Sequence, residues 1–289
     1  MNDAPITFDP APSRPRLELP AGACDTHCHV FGPASVFPFA DGRTFTPGDA
    51  PKEKLFALHE MLGIERCVIV QSACHGYDNA AVADAIAAKD GTYLGVALLP
   101  VGVGDEALRR HDAQGFRGVR FNYMKHLGAG APIEEVIDLA GRLAEIGWHL
   151  QIHMDAQLIP ELGPKLKTSP VPVVLDHMCR IEAADGPDQQ AFRHVLRLME
   201  DDRFLMKVSG CDRSSAAPPY ADAVPFARKL VAEFGDRVLW GTDWPHPNHR
   251  GPVPDDGVLA DLIAEIAPSE AARQALLVDN PMRFYRFAR

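Results

Sequence analysis

The sequence predicts an α/β protein built as a (β/α)₈ TIM barrel, and three observations favour this fold. Eight short segments rich in Val, Ile, Leu and Phe recur along the chain, as buried parallel strands require. The segments between them space their apolar residues with helical periodicity. The chain has 289 residues, and the repeats begin after residue 22, which matches the roughly 250 residues of a typical barrel.

The predicted strands follow one another at intervals long enough for a helix to connect each parallel pair. Helical spacing is clearest in residues 54–62, 133–143 and 192–199. The eight predicted strands are residues 24–30, 66–72, 93–99, 116–122, 148–154, 172–178, 204–210 and 237–244.

An open, doubly wound sheet is the alternative architecture for such an alternation. It is disfavoured because no glycine-rich phosphate-binding turn follows the first predicted strand. Polar residues also end many of the strands, whereas an open sheet gathers them at one crevice. Residues 1–22 are rich in proline and lack periodicity, so we expect an N-terminal arm over 1–22 and one barrel domain over 23–289.

The composition disfavours several classes of partner. The chain carries 29 basic and 39 acidic residues, a formal net charge of −10, which argues against nucleic acid and anionic membranes. Its 6 cysteines lie mostly in hydrophobic segments without disulfide spacing, as in reduced cytoplasmic proteins. Neither a signal peptide nor an apolar stretch of the roughly 20 residues needed for a membrane span is visible. We therefore expect a cytoplasmic enzyme, and no pattern predicts its oligomeric state.

One pair of histidines and one aspartate carry the strongest chemical signal. His27 and His29 are two residues apart in the first predicted strand, so their side chains point to the same side. Asp243 lies at the end of the eighth strand, which neighbours the first when a barrel closes. Imidazole is the usual ligand of a catalytic zinc ion, and the carboxylate can complete such a site or act as a base. The structural alternatives are hydrogen-bonded core histidines and a loop carboxylate.

Further polar side chains fall at the C-terminal ends of the predicted strands, which form the catalytic face of a barrel enzyme. His177 and His153 end the sixth and fifth strands. Ser72, His75 and His246 end or follow strands and would line the mouth of the site. Any one of these histidines could instead be a satisfied core residue or a loop residue.

Three arginines also end or follow predicted strands, although the protein as a whole is acidic. They are Arg120, Arg180 and Arg213. Guanidinium groups bind carboxylates through two parallel hydrogen bonds. Each arginine alone could form a salt bridge to a helix, but three on one face indicate an acidic substrate.

Several motifs together resemble the amidohydrolase superfamily and, within it, the 2-pyrone-4,6-dicarboxylate lactonases that act in aromatic compound catabolism. The resemblance runs from about residue 13 to residue 286, and its most specific part is the run WGTDWPHPN at residues 240–248. It implies a distorted (β/α)₈ barrel. The other matching segments are CDTHCHVFGP at residues 24–33, VQSACHG at 70–76, GVRFN at 118–122, DHM at 176–178 and NPMR at 280–283.

The resemblance also implies a role for individual residues. His27, His29, His177 and Asp243 would form the hydrolytic centre, and Arg120, Arg180 and Arg213 would hold substrate carboxylates. Three positions depart from the family pattern, because Phe45 and His153 replace tyrosines and His126 replaces an arginine. His126 and His153 would join the substrate-binding residues, and with an arginine and two phenols replaced, the ring bound here need not be the dicarboxylate pyrone itself.

The cofactor expectation follows from the same comparison. The pyrone lactonases resembled here need no metal, whereas superfamily members with histidines on strands one, five and six bind one divalent ion. The chain would therefore need no cofactor or would bind one zinc or manganese ion. The ligands would then be His27, His29, His153 and Asp243.

The expected function is hydrolysis of a carboxylated lactone by water that Asp243 activates. The ring would be 2-pyrone-4,6-dicarboxylate or a related sugar-acid or muconolactone-type lactone. One alternative is a metal-dependent decarboxylase of a small unsaturated acid. The other is a barrel that binds an organic acid without catalysis.

Overall fold

The computed structural model describes Ala4 and residues 6–128, 130–249 and 251–287. Its 8 parallel strands stand side by side in chain order, as a (β/α)₈ barrel requires. The first and last strands meet through backbone hydrogen bonds from Thr26 N to the Trp240 carbonyl (2.9 Å) and from Asp243 N to the His27 carbonyl (2.7 Å). The strands are β1 Cys24–Cys28, β2 Arg66–Val70, β3 Tyr93–Ala97, β4 Phe116–Asn122, β5 His149–His153, β6 Val173–Leu175, β7 Phe204–Lys207 and β8 Val238–Leu239. The predicted barrel is confirmed.

Helices connect the strands and cover the outside of the barrel. The three segments with the clearest helical spacing lie in α1, α4 and α6, as predicted. The helices are α1 Lys52–Leu62, α2 Ala80–Ala87, α3 Asp105–Ala113, α4 Ile133–Glu145, α5 Ile159–Leu166, α6 Gln190–Met199, α7 Cys211–Ser214, α8 Val224–Glu233, α9 Asp256–Asp261, α10 Ile263–Ile266, α11 Glu270–Gln274 and α12 Asn280–Tyr285. In the described part of the chain, no helix is both long and apolar enough to cross a bilayer.

The core lies between the helices and the barrel wall. On α6, Phe192 and Val195 are buried at helical spacing, and the Phe192 ring packs edge-on against Phe226 of α8 at 4.9 Å. Close packing also explains Gly95 in β3, where a Cβ atom would approach the Phe116 ring to 2.8 Å. All 6 cysteines are buried free thiols.

Seven of the eight strands are shorter than the sequence predicted, and the difference is largest in β6, β7 and β8, at the catalytic face. The predicted strand 172–178 ends at Leu175 because the chain then enters a left-handed turn, with φ between 49° and 52° from His177 to Arg180. The predicted strand 237–244 ends at Leu239, and Asp243 has a φ of 59°. The strand predicted for 204–210 ends at Lys207. The polar residues therefore lie on short turns beyond the strands, and this part of the prediction was wrong.

The described residues of the segment 1–22 contain no helix or strand and lie against the C-terminal part of the barrel. The Phe8 ring packs on Trp244 at 5.0 Å, and Arg16 forms a salt bridge of 2.9 Å to Asp261 of α9. The Ser13 hydroxyl donates to Asp255, the N-cap of α9. These contacts tie the predicted arm to the segment that follows β8.

A buried ion pair joins α1 to the seam between β1 and β8. His59 Nε2 lies 3.1 Å from Asp25 Oδ2, and the Thr242 hydroxyl donates to the same oxygen at 2.6 Å. The other ring nitrogen of His59 lies 2.6 Å from the Tyr93 hydroxyl. Burial alone would lower the pKa of His59, but its hydrogen bond to Asp25 outweighs this and raises the pKa to about 9. His59 is therefore an imidazolium at neutral pH.

We predict that this ion pair makes the stability of the barrel depend on pH. Because the pKa of His59 is raised on folding from 6.5 to about 9, its contribution is complete below pH 6.5 and is lost as pH rises towards 9. The total loss is about 3 kcal/mol of unfolding free energy. Urea unfolding at several pH values should show this decline in the wild type and a smaller decline in His59→Gln.

His194→Gln, which removes a half-buried histidine from α6, is the matched control and should keep the wild-type dependence. Equal pH dependence in His59→Gln and the wild type would contradict the assignment.

Candidate active site

A cavity of about 740 Å³ opens at the C-terminal ends of the strands. Its walls come from the turns and loops that follow the strands, where barrel enzymes carry their active sites. The structure brings nine of the site residues proposed from sequence to these walls: His29, Ser72, Arg120, His126, His153, His177, Arg180, Arg213 and Asp243. Phe45 also lines the cavity. His27 is fully buried beside it.

The carboxylate of Asp243 is the centre of the arrangement. Its Oδ1 atom faces three imidazole Nε2 atoms, those of His29 at 3.3 Å, His27 at 3.6 Å and His177 at 3.6 Å. Its Oδ2 atom accepts a hydrogen bond of 2.7 Å from Arg213 Nε, and Arg213 Nη2 lies 2.6 Å from the same oxygen. One oxygen is thus neutralised by a guanidinium, and the other faces the imidazoles.

These neighbours keep Asp243 ionised. Burial would raise the pKa of its carboxyl, but the charge of Arg213 outweighs this and holds the pKa well below the usual range. A buried carboxylate without such partners would take up a proton instead. Asp243 is therefore a permanent hydrogen-bond acceptor at neutral pH.

The hydrogen bonds of His29 and His177 constrain which ring nitrogens can accept. His29 Nδ1 lies 2.7 Å from the Val70 carbonyl, which can only accept, so the proton of a neutral ring is on Nδ1. An unprotonated His29 Nε2 and the ionised Asp243 Oδ1 both carry lone pairs, so their separation of 3.3 Å suits a shared proton or a cation. His177 Nδ1 pairs with the Ser209 hydroxyl at 3.1 Å, and burial lowers the pKa of His177 to about 4, so its ring is neutral.

A buried lysine, to which the sequence analysis gave no role, contacts His27. Lys207, the last residue of β7, is fully buried, and its ammonium donates to the Thr26 carbonyl at 2.8 Å and to Gln151 Oε1 at 3.0 Å. It also lies 3.1 Å from His27 Nδ1. Burial lowers the pKa of Lys207 to about 8. The signal was present in the sequence, because Lys207 ends the otherwise apolar strand FLMK.

The carboxylate of Asp176 balances the positive charges of Lys207 and Arg120. Its Oδ1 lies 3.2 Å from His27 Nδ1, and its Oδ2 accepts a hydrogen bond of 2.8 Å from Arg120 Nε. Burial would raise the pKa of Asp176, but His27 and Arg120 hold it well below the usual range. Asp176 is thus a second buried carboxylate, and it was not assigned a role from sequence.

The three arginines are placed differently from one another. Arg213 is engaged with Asp243 and also donates to the Pro247 carbonyl at 3.1 Å. Arg120 lines the cavity while its Nε is held by Asp176. Burial, followed by the charge of Arg213, lowers the pKa of Arg180. Arg180 also lines the cavity, where an anion would relieve this repulsion.

Two histidines proposed for the mouth of the site do not line the cavity. Pro38 carbonyl and Gly32 N contact the two ring nitrogens of His75, at 3.0 and 3.2 Å, so the ring ties two loops together. His246 lies between Asp256 at 3.2 Å and Asp212 at 3.5 Å. Burial alone would lower the pKa of His246, but the two carboxylates outweigh this and raise the pKa to about 10.

His153 lies on the wall of the cavity at the end of β5. Its Nδ1 is 3.2 Å from Asn122 Oδ1, and its buried Nε2 has no hydrogen-bond partner among the described residues. Burial, then the charge of Arg120, holds the pKa of His153 well below its usual range. It is a neutral imidazole with one nitrogen free for a ligand.

The donor set fits one divalent cation in part. The ligand atoms of His27, His29 and Asp243 all lie within 4.8 Å of one another, and three protein ligands with an open position are typical of catalytic zinc. The bare Nε2 of His29 suits such an ion. Within the described chain, His153, which the sequence analysis proposed as a fourth ligand, does not belong to this group, because its ring nitrogens do not lie within 4.8 Å of the ligand atoms of all three others.

Comparison with known proteins places this geometry in context. The amidohydrolase family model matches residues 24–287. A 2-pyrone-4,6-dicarboxylate hydrolase of Comamonas testosteroni is 48% identical over 95% of this chain and 93% of its own length. A 4-sulfomuconolactone hydrolase of Rhizobium radiobacter is 39% identical over 98% of this chain and 93% of its own length.

Solved structures agree with the sequence relatives. The structure of a provisionally named 2-pyrone-4,6-dicarboxylic acid hydrolase from Pseudomonas putida superposes with a TM-score of 0.82 at 30% identity, over 94% of this chain and 100% of that one. The resemblance noted from the motifs is thereby confirmed. The chain belongs to the amidohydrolase family.

Proposed function

We propose that the protein hydrolyses a lactone ring that carries carboxylates, by attack of water on the ring carbonyl. The observation that carries this proposal is the ionised Asp243, whose Oδ1 faces three imidazoles at the wall of an arginine-lined cavity. The similarity to a 2-pyrone-4,6-dicarboxylate hydrolase and a 4-sulfomuconolactone hydrolase supports it. Both relatives are named for hydrolysis of a small acidic lactone.

The cavity is suited to a small, flat acid. Its volume of about 740 Å³ lies within the usual range for small-molecule sites. Arg180 and Arg120 would bind the carboxylates, and Phe45 would pack against the ring. His126, His153 and Ser72 offer polar contacts where the substituents of the ring would lie. Phe45 and His153 stand where the pyrone lactonases have tyrosines. This difference in the cavity wall would set which lactone ring is preferred.

Asp243 would accept a proton from the attacking water. A carboxylate with a strongly lowered pKa is a weak base, so it can drive the attack only on an activated carbonyl. Enol esters and pyrones are activated in this way, because the leaving enolate is stable and needs little protonation. The low basicity of Asp243 therefore favours an enol-type lactone over a simple sugar lactone.

His27 and His177 would act as donors around Asp243 and the reacting carbonyl. His177 lines the cavity and would donate to the oxygen on which negative charge develops. His27 is fully buried, so we assign it to the orientation of Asp243. A divalent ion bound by His27, His29 and Asp243 would polarise the carbonyl as a Lewis acid. Arg213 and Lys207 already supply positive charge to the same side chains.

We predict turnover when the protein is given a panel of carboxylated pyrones and muconolactones and ring absorbance is followed. The panel should be tested before and after treatment with a chelator. Because the chain supplies its own cations, turnover should survive chelation. Loss that only zinc or manganese restores would make His27, His29 and Asp243 ligands. Release of carbon dioxide would identify a decarboxylase, and tight binding without turnover would identify a binding protein.

In the same assay, Asp243→Asn should lower kcat by about 10²- to 10⁴-fold because it removes the base. Asp155→Asn is the matched control, since Asp155 lines the same cavity. Among the described residues, its side chain makes no hydrogen bond or ion pair with Asp243 or with the three imidazoles that face it. It should retain most of the activity. An Asp243→Asn variant as active as the control would contradict the assignment.

We predict that Lys207 fixes the tautomer of His27. Two groups compete for His27 Nδ1: the Lys207 ammonium at 3.1 Å, which can only donate, and Asp176 Oδ1 at 3.2 Å, which can only accept. If the ammonium prevails, the proton of the neutral imidazole is on Nε2, directed at Asp243. Nitrogen-15 NMR of histidine-labelled protein, assigned with His27→Gln, should show an unprotonated Nδ1 in His27. Lys207→Met should abolish this preference and lower kcat by about 10²-fold or more, with a small change in KM. A variant that folds and keeps both the tautomer and kcat would refute this role.

A further inference from the structure

A second cavity, of about 460 Å³, lies at the opposite end of the barrel. Its walls include His149, which begins β5, and Arg237, which immediately precedes β8. Phe284 of α12 contributes from the C-terminal helix. The N-terminal ends of the strands form this face, so the cavity is separated from the active site by the length of the barrel.

The charge of this second cavity is positive. Four arginines line it, Arg117, Arg237, Arg283 and Arg286, together with Asp202 and Asp236. The two carboxylates point largely into solvent, since their side chains are 95% and 77% exposed. Four guanidinium groups thus surround a concave surface on a protein whose formal net charge is −10. Such a local excess favours a bound anion.

The arginines of this second cavity are held in place, yet keep donors to spare. Arg286 Nη2 donates to the Gly147 carbonyl at 2.8 Å, and Arg283 Nη2 donates to Asn280 Oδ1 at 3.0 Å. Arg117 Nη1 donates to the Phe116 carbonyl at 2.7 Å. Within the described residues, these bonds use one terminal nitrogen each of Arg117, Arg283 and Arg286. The fourth arginine, Arg237, is engaged through Nη1 with three backbone carbonyls and through Nη2 with Asp202 at 3.3 Å. The remaining nitrogens of the other three arginines can reach a ligand without a change in the fold.

Two of these arginines repel each other. Burial lowers the pKa of Arg117; Asp112 offsets part of this effect, and the charge of Arg286 adds to it. An anion between the two guanidinium groups would remove the repulsion. Their planar geometry matches carboxylate or phosphate oxygens in paired hydrogen bonds.

Aromatic side chains and a buried histidine complete the wall. Trp148 and Phe284 line the cavity, and the Phe284 ring lies 5.0 Å from the His149 ring. Burial lowers the pKa of His149 to about 3, so the ring is neutral, and its Nε2 has no hydrogen-bond partner among the described residues. The site therefore combines cationic groups with apolar surface, which an organic anion would use better than an inorganic ion.

We propose that this second cavity binds a small organic polyanion that carries at least two carboxylate or phosphate groups. Its volume is in the range of small-molecule sites and exceeds the space that a single inorganic ion requires. The anionic groups would lie between Arg117 and Arg286 and near Arg283. The carbon skeleton would lie against Trp148 and Phe284.

The test is isothermal titration calorimetry with citrate and with inorganic pyrophosphate. The wild type should show one more saturable binding event than the double variant Arg117→Gln/Arg286→Gln, whatever the active site itself binds. The matched control is Arg109→Gln/Arg110→Gln, which removes the same charge from two exposed positions on α3 and should bind like the wild type. A preference for citrate would indicate a carboxylate ligand, and a preference for pyrophosphate a phosphate ligand.

Circular dichroism would first establish that the double variant folds. If it does not, Arg286→Gln alone decides the question, because within the described residues it loses one hydrogen bond, to Gly147. It should weaken the additional binding event at least fivefold. Unchanged binding in the folded variant, or no binding event in the wild type beyond those that the variant retains, would overturn the proposal.

Discussion

The carboxylate of Asp243 accepts from Arg213 with one oxygen and faces three imidazoles with the other. A charge buried this deeply is tolerated only with paired partners. The backbone helps to place it, because Asp243 N donates to the His27 carbonyl across the seam where the barrel closes. The residue has a φ of 59°, an uncommon conformation that the surrounding contacts hold. Closure of the barrel and assembly of the site therefore depend on the same few bonds.

A second group of charged side chains lies next to Asp243 and its three imidazoles, on the side away from the cavity. It provides partners for the buried ring of His27. Lys207 and Asp176 flank His27, and Arg120 extends this group to the cavity wall. Charges of opposite sign alternate through this group, so that each desolvated side chain has a partner within hydrogen-bonding distance or close to it. The strands β1, β4, β6 and β7 contribute or adjoin these side chains, so the network also links strands across the barrel interior. The charged network and the barrel wall are therefore built from the same strands.

The sequence predicted the fold and the central group because both follow from periodicity. An alternating strand places His27 and His29 together, and barrel closure brings Asp243 to them. Beyond the strand ends, the spacing of apolar residues no longer predicts where a side chain points. The chain has positive φ at His177 and at His246, and neither turn shows a periodic pattern in the sequence. The guanidinium of Arg213, proposed for substrate, lines the cavity and also donates to Asp243, a contact that the sequence did not predict. Such pairing depends on distances between distant segments, which a linear pattern does not contain.

The central claim is that water, directed by Asp243, opens a carboxylated lactone. Turnover of a carboxylated pyrone in water enriched in oxygen-18 tests it most directly, with mass spectrometry of the product. The account predicts that one labelled oxygen enters the newly formed carboxylate and that no carbon dioxide is released. A product without label, formed by rearrangement or by loss of carbon dioxide, would contradict the account.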